Sequence, residues 1–254
     1  MEEKYVNQEE YSKLFITLKR ADVAKRLKLG EKILDLATGS GYFAIEVAKK
    51  YPNAQIIGID IFEGSVKQAK KNVSERGLED RIQVIKMDAS ELKFSDDIFD
   101  TVINYLGFED IYMTKGMAGI IKTVREVYRV LKPSGRFYFV AMPVDEMETQ
   151  PQKLEVEVFS WICNATWLTF AEYLDILKKA GFIFLGKESF YTGKKLTVEQ
   201  AIEEIKYACK YVLPHYGVKT PSFDQVWERF KDRILEYGLG HYSKTILFEA
   251  MKPN

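Results

Sequence analysis

The sequence predicts an α/β fold: a parallel sheet wound on both faces by helices, with a helical insertion toward its carboxyl end. Three observations carry this. Ile33-Leu34-Asp35-Leu36-Ala37-Thr38-Gly39-Ser40-Gly41-Tyr42 reads as a buried strand, a tight glycine turn and the start of a helix. Apolar strand-like runs then alternate with amphipathic helical runs as far as Met142, the spacing of parallel strands joined by right-handed crossovers. Beyond Met142 the alternation stops, and helix-start signals cluster before one last apolar run, Thr245–Met251.

Taken in order, residues 8–29 carry a helical apolar face (Tyr11, Leu14, Phe15, Leu18, Val23, Leu27) closed by Gly30. Strand 32–37, helix 41–50, strand 55–60, helix 64–76 and strand 82–87 follow, then strand 100–106, helix 117–132 and strand 136–142. Pro52-Asn53, Gly77 and Pro133-Ser134-Gly135 separate them. In helix 117–132, Ile120, Ile121, Val124, Val127, Tyr128 and Leu131 keep the 3.6-residue period. Segment 143–168 reads as irregular, with Glu155-Val156-Glu157-Val158 alternating like a short strand or an extended arm. Thr169…Glu172 is a capping box opening a helix that Gly181 closes, and residues 182–186 and 188–191 are strand material. Two further boxes, Thr197…Gln200 and Ser222…Gln225, announce helices near 198–212 and 223–237. The organisation expected is an N-terminal helical lid (1–30), a core (31–191 and 244–254) and an inserted helical cap (192–243).

With 254 residues, 37 basic and 37 acidic, the chain suits one large α/β domain whose balanced charge argues against a surface for non-specific binding of nucleic acid or anionic membrane. No apolar run reaches a membrane span and the first residues lack a signal-peptide pattern. Two cysteines, Cys163 and Cys209, in unlike contexts give no disulfide framework, and a cytoplasmic, reducing setting is expected. His and Cys spacing supports no metal site.

Gly39-Ser40-Gly41-Tyr42-Phe43-Ala44 fits G-x-G-x-x-G/A, and Asp60 falls 19 residues past Gly41, where a ribose-binding carboxylate belongs. By itself this pattern equally suits a dinucleotide. Asp35, four residues before Gly39, disfavours a pyrophosphate and favours a ligand with an ammonium or sulfonium group. Met87-Asp88-Ala89-Ser90 ends the third strand with an acid that can accept from an exocyclic amine.

Asp35, Gly39, Gly41, Asp60, Asp88 and the strand start Phe99-Asp100-Thr101-Val102-Ile103 resemble the class I S-adenosylmethionine-dependent methyltransferases over about residues 30–142, and again at Lys179-Ala180-Gly181-Phe182. One departure is Ala37, where many members have glycine. The resemblance implies a doubly wound, seven-stranded, mostly parallel sheet in the order 3-2-1-4-5-7-6, with Thr245–Met251 as the antiparallel seventh strand. It implies S-adenosyl-L-methionine as cofactor. Asp35, Ala37, Thr38, Gly39 and Gly41 would cradle the methionine part, Asp60 with Ile61 the ribose side, and Asp88 with Ala89 the adenine. Asn104 would lie beside the methyl group and Tyr11 on the lid helix.

Methyl transfer needs alignment and water exclusion more than a fixed catalytic residue, and a base only for a protonated acceptor. Candidates are Tyr105, which orients an acceptor or simply packs, and His215 and His241, the two histidines, which serve as base or as structural groups. Glu109 and Asp110 sit just past the fourth strand, placed to face an acceptor. All three tryptophans (Trp161, Trp167, Trp227) lie in the C-terminal half among many Phe and Tyr, either a satellite core or an apolar, aromatic acceptor pocket. The expected activity is methyl transfer to a small molecule. RNA- or protein-directed methylation is the alternative within the family, although the Asn/Asp-Pro-Pro-aromatic signature is replaced by Asn104-Tyr105-Leu106-Gly107. An NAD-dependent oxidoreductase and a non-catalytic cofactor-binding subunit are the alternatives outside it.

Overall fold

The structure, a computed structural model, describes residues 18–212 and 217–254. Apolar runs form strands β1 (Lys32–Leu36), β2 (Gln55–Asp60), β3 (Ile82–Lys86), β4 (Phe99–Tyr105), β5 (Leu131–Ala141), β6 (Ile183–Tyr191), β7 (Lys195–Leu196), β8 (Leu239–Gly240) and β9 (Lys244–Met251). The helices are α1 (Arg20–Ala24), α2 (Tyr42–Lys50), α3 (Glu63–Ser74), α4 (Phe108–Val130), α5 (Gln150–Cys163), α6 (Phe170–Ala180), α7 (Val198–Tyr207) and α8 (Phe223–Tyr237). Seven strands make one sheet in the order β3-β2-β1-β4-β5-β9-β6, with β9 antiparallel to both neighbours. This is the 3-2-1-4-5-7-6 order expected from the sequence, because the short β7 and β8 form a separate two-stranded ribbon. Leu36 pairs with Ile59 on one side and Asn104 on the other. The turn after β1, Asp60 and Tyr105 therefore emerge side by side at the carboxyl edge, where ligands bind in open α/β sheets.

One face of the sheet packs on α1, α2 and α3 through Val23, Val47, Ala69 and Ile33. The other packs on α4 and α6, where Phe139 stacks on Phe248 at 4.4 Å and meets Phe108 edge-on at 4.9 Å. A third cluster joins α5 (Leu154, Val158, Ile162), α7 (Ala201, Ile205) and α8 (Val226, Phe230, Ile234), with Leu196 and Leu239 of the ribbon.

Segment 150–163, read from sequence as irregular with a short strand, is helix α5. The Glu155–Val158 alternation imitates a strand only because Glu155 is itself buried; the governing pattern is Leu154, Val158 and Ile162, four residues apart on one buried face. Gln152 Oε1 starts the helix by accepting from the N–H groups of Glu148 and Thr149 at 2.9 and 3.1 Å. Gln152→Ala is expected to cost about 1–2 kcal/mol, lowering Tm by about 2–4 °C per kcal/mol; a circular-dichroism melt checks it.

The helix expected over 8–29 is, within the described residues, only Arg20–Ala24. The chain beyond it is anchored instead, since Tyr51 Oη donates to the carbonyls of Ala24 and Leu27 and the Lys28 N–H donates to Tyr138 Oη at 3.1 Å. The helix expected from 117 starts at Phe108 and kinks at Gly116, whose φ of 64° lies in the left-handed region. The two strand pieces at 182–191 are one strand with an irregularity between Phe184 and Gly186. The three capping boxes at Thr169, Thr197 and Ser222 all form.

Candidate functional site

The turn after β1 is built from left-handed residues: Ala37 at φ 48°, Gly39 at 55° and Gly41 at 78°. Such a run coils the backbone tightly. Asp35 is buried beneath it, its Oδ2 accepting from Thr38 Oγ1 at 2.6 Å. The Thr38 N–H donates to the Ile59 carbonyl at 2.8 Å, tying the turn to β2. Asp60 Oδ2 accepts from the Gly39 N–H and Oδ1 from the Phe62 N–H, both at 2.9 Å.

The loop after β4 is locked to the same turn. Asn104 Nδ2 donates to the Leu36 carbonyl at 2.7 Å and its Oδ1 accepts from the Gly107 N–H at 3.2 Å. A Cβ on Gly107 would lie 2.7 Å from Ala37 Cβ and 2.4 Å from Asn104 Nδ2, so only glycine permits this approach.

Burial governs the charges. It pushes Asp35 up to about 7, with the Thr38 hydroxyl and Arg20 opposing and Asp60 reinforcing. Asp60 is also raised by burial, partly offset by the N–H groups of Phe62, Gly39 and Ile61. Arg20, unmarked by any sequence period, lies 5.7 Å from the Tyr42 ring and 5.3 Å from the Tyr105 ring. Burial lowers its pKa, against the pull of Tyr105, Tyr242, Tyr42 and Glu46.

Asp88 lies past β3 and is already engaged: Oδ1 accepts from Ser90 N and Oγ at 2.8 Å each, and Oδ2 pairs with Lys115. Burial raises its carboxyl, but Lys115 and Ser90 outweigh that and hold it below the ordinary value. Lys115 reaches it from the turn of α4 before the Gly116 kink, a pairing across 27 residues that local patterns do not carry. Ala89 is buried, and Ile61 is 40 % exposed beside Asp60, an apolar face at the mouth of the turn.

Tyr105 packs on Phe43 at 4.8 Å, and burial pushes its hydroxyl up to about 12. His241, expected in a flexible turn, is instead buried, with its ring edge-on to Tyr242 at 5.0 Å. Its backbone is held by the ribbon that closes residues 195–240 at their base. Tyr11 and His215 lie outside the described residues.

At the first turn of α4, burial drives Glu109 up to about 7, and burial with Glu109 and Asp60 drives Asp110 up to about 8. Cys163, at the end of α5, and Tyr242 both sense the Asp110 charge. Asp110 thus has charged or titratable neighbours on the sheet edge (Asp60), at the end of α5 (Cys163) and after β8 (Tyr242). Arg20 is the residue near the turn that sequence reasoning missed, while Tyr242 is one of the C-terminal aromatic residues read as satellite core or acceptor pocket.

A family described as a methyltransferase domain matches residues 27–193. The demethylmenaquinone methyltransferase of Thermus thermophilus is 34% identical over 116 residues, 46% of this chain and 49% of that protein. The chain spans about half the length of the curated relatives it matches. Among solved structures, an S-adenosylmethionine-dependent methyltransferase from Methanosarcina mazei has a TM-score of 0.59 at 17% identity, covering 91% of this chain and 97% of that one. The [4+2]-cyclase SpnF has a TM-score of 0.63 at 23% identity, covering 92% and 80%. These two likenesses show the fold alone, and the two proteins are named for different reactions. The family match spans both the coiled turn and the sheet edge, and the chain belongs to the methyltransferase-domain family, among the class I S-adenosylmethionine-dependent methyltransferases.

Proposed function

We propose that the protein transfers a methyl group from S-adenosyl-L-methionine to a small-molecule acceptor seated between the sheet edge and the layer formed by α5, α7 and α8. One observation carries this reading: the adjacent strands β3, β2 and β1 each carry an acid near their carboxyl ends, Asp88 just past β3, Asp60 as the last residue of β2 and Asp35 inside β1 beneath a turn of left-handed residues. A dinucleotide's pyrophosphate would meet the buried Asp35 within that turn, whereas a cationic sulfonium ligand is favoured by it.

The residues fit the cofactor. Asp60 retains lone pairs beyond its two backbone donors for ribose hydroxyls. Ile61 offers its exposed side to the base, and Asp88 accepts from the adenine amine once Lys115 shares or yields it. Arg20, above Tyr42, supplies the cation for the ligand's carboxylate. The bound cofactor supplies an activated methyl group. The chain holds the acceptor in line and keeps water out, which is worth several kcal/mol of the barrier. The two cysteines are unpaired, as in a cytoplasmic protein, and no helix among the described residues is long and apolar enough to cross a membrane. The helical layer draws on α5 as well as on the insertion at 192–243, and we read both as the cap over the acceptor.

Isothermal titration with S-adenosylhomocysteine and with NAD tests the reading. Saturable binding of the former is expected; affinity for NAD with none for S-adenosylhomocysteine overturns it.

A further inference from the structure

Buried side-chain oxygens are ordinarily satisfied, and leaving one unpaired costs about 1–3 kcal/mol. Two buried oxygens flank the β4–α4 junction: Tyr105 Oη, which has the Lys19 backbone near it, and Glu109 Oε2, which has no hydrogen-bond partner. Glu109 is half satisfied, since its Oε1 accepts from the Met142 N–H at 3.1 Å. Between them in sequence runs the stretch Leu106-Gly107-Phe108, pinned against Ala37 of the cofactor turn through Gly107. Asp110 follows directly. Its backbone carbonyl accepts from Thr114 Oγ1 at 2.8 Å, and its half-buried side chain is free of hydrogen bonds and ion pairs to the described residues. One turn further on, Met113 of the same helix packs into the α5–α7–α8 cluster. The first turn of α4 thus stands under the cap and beside the turn that would hold the methyl donor.

Ionised carboxylates only accept hydrogen bonds. Once ionised, Glu109 and Asp110 call for a ligand that brings donors and positive charge. Tyr242, which senses both Glu109 and Asp110, suits a cation joined to an apolar body. We propose that the acceptor is a primary or secondary amine carried on an apolar or aromatic body, its ammonium held by Glu109 and Asp110 with Tyr242 beside it. This rests on the methyltransferase reading above.

The chemistry balances. The ammonium passes one N–H proton to the Asp110 carboxylate, which frees the nitrogen lone pair. That pair forms the new N–C bond as the methyl carbon's bond to sulfur breaks, its electrons remaining on sulfur. The product is the methylated ammonium, and Asp110 then gives its proton to solvent. Asp110 serves here as base and anchor, and Glu109 as anchor.

The titratable groups facing Asp110 are Glu109 on its own helix, Asp60 at the end of β2, Cys163 at the end of α5 and Tyr242 after β8. Glu109 faces the Met142 N–H, Tyr173 of α6 and Tyr242. The main rival is a neutral hydroxyl acceptor, to which the same two groups would donate while protonated. pH separates the two: amine binding strengthens as the carboxyls ionise, whereas hydroxyl binding weakens.

The test uses the full chain saturated with S-adenosylhomocysteine, its occupancy first verified by calorimetry; failure at that step counts against the methyltransferase reading itself. Phenethylamine and tryptamine are then compared with 2-phenylethanol and tryptophol, the same bodies bearing a hydroxyl, by ligand-observed NMR and thermal shift at pH 6, 7.5 and 8.5. Each amine is expected to bind at least tenfold tighter than its alcohol at pH 7.5 and to tighten from pH 6 to 8.5. Asp110→Asn and, separately, Glu109→Gln should each remove most of that preference while leaving S-adenosylhomocysteine affinity within twofold, which also reports that each variant is folded. Alcohols binding as well as amines, no amine binding, or a preference that survives both substitutions overturns the proposal.

Discussion

Asp60→Ala is expected to weaken S-adenosylhomocysteine binding by at least ~1.5 kcal/mol, about tenfold or more, measured by calorimetry at constant pH and salt. The reasoning starts from what the carboxylate does without ligand. Its two oxygens take the N–H groups of Gly39 and Phe62, so it fixes the cofactor turn to the start of α3 before anything binds. Charge-assisted hydrogen bonds of this kind are worth about 1.5–3 kcal/mol each. Alanine removes the acceptor for the ribose hydroxyls and releases Gly39 as well. The second effect makes the turn less preorganised and adds to the first. Asn is no conservative control, because its amide would present N–H donors to one of two backbone N–H donors. A useful contrast is Ile61→Ala at the exposed position beside it, which trims apolar contact and leaves the clamp intact. An unchanged affinity in Asp60→Ala would remove Asp60 from the ribose position.

The strand–turn–helix joint at 33–44 and the acids at 35, 60 and 88 were legible because each is a local signal. A glycine turn, an amphipathic period and a polar residue ending an apolar strand all act within a few residues. The sheet order followed from that same set of residues through the family resemblance, and β9 fell where the last apolar run predicted. Helix α5 was obscured because its inward face includes Glu155, a charge at a core position, which broke the apolar stripe and left Val156 and Val158 looking like a strand. Glu155 is tolerated there since it accepts from Tyr242 N and, at 3.2 Å, from Ser243 Oγ, a contact across almost ninety residues that no local pattern encodes. Arg20 and Lys115 were invisible for the same reason: each acquires its role from a partner distant in sequence. His241 looked mobile from its glycine neighbours, yet the pairing of β7 with β8 buries it.

The unliganded protein is expected to lose stability as pH rises from 5 to 8.5, the reverse of ordinary acid denaturation. Four carboxyls are displaced upward by burial: Asp35, Glu109 and Glu155 to about 7, and Asp110 to about 8. In the unfolded chain each titrates near pH 4. Below that pH the groups are protonated in both states and their contribution is fully present. Between the unfolded and folded values the unfolded chain has shed protons that the native state still binds, so by linkage each increment of pH favours unfolding, until the folded groups ionise near 7–8. One pKa unit expressed at each of the four sites gives about 5 kcal/mol, a fall in Tm of about 10–20 °C for a chain of this size. Carboxylates held low by partners, such as Asp88 and Asp100, act at the opposite end, losing their contribution only as pH drops through their low folded values, outside this window. Calorimetric melts at half-unit pH intervals check the slope, and Asp110→Asn and Asp35→Asn should each flatten it. A melting temperature that is level or rises over this range would show these carboxyls to be solvated in the native state. The same linkage runs through ligand binding. An amine sets one positive charge against Glu109 and Asp110 as they ionise, so its stabilising effect should be larger at pH 8.5 than at pH 5.5. A neutral acceptor should show the opposite trend, because it would bind the protonated carboxyls best.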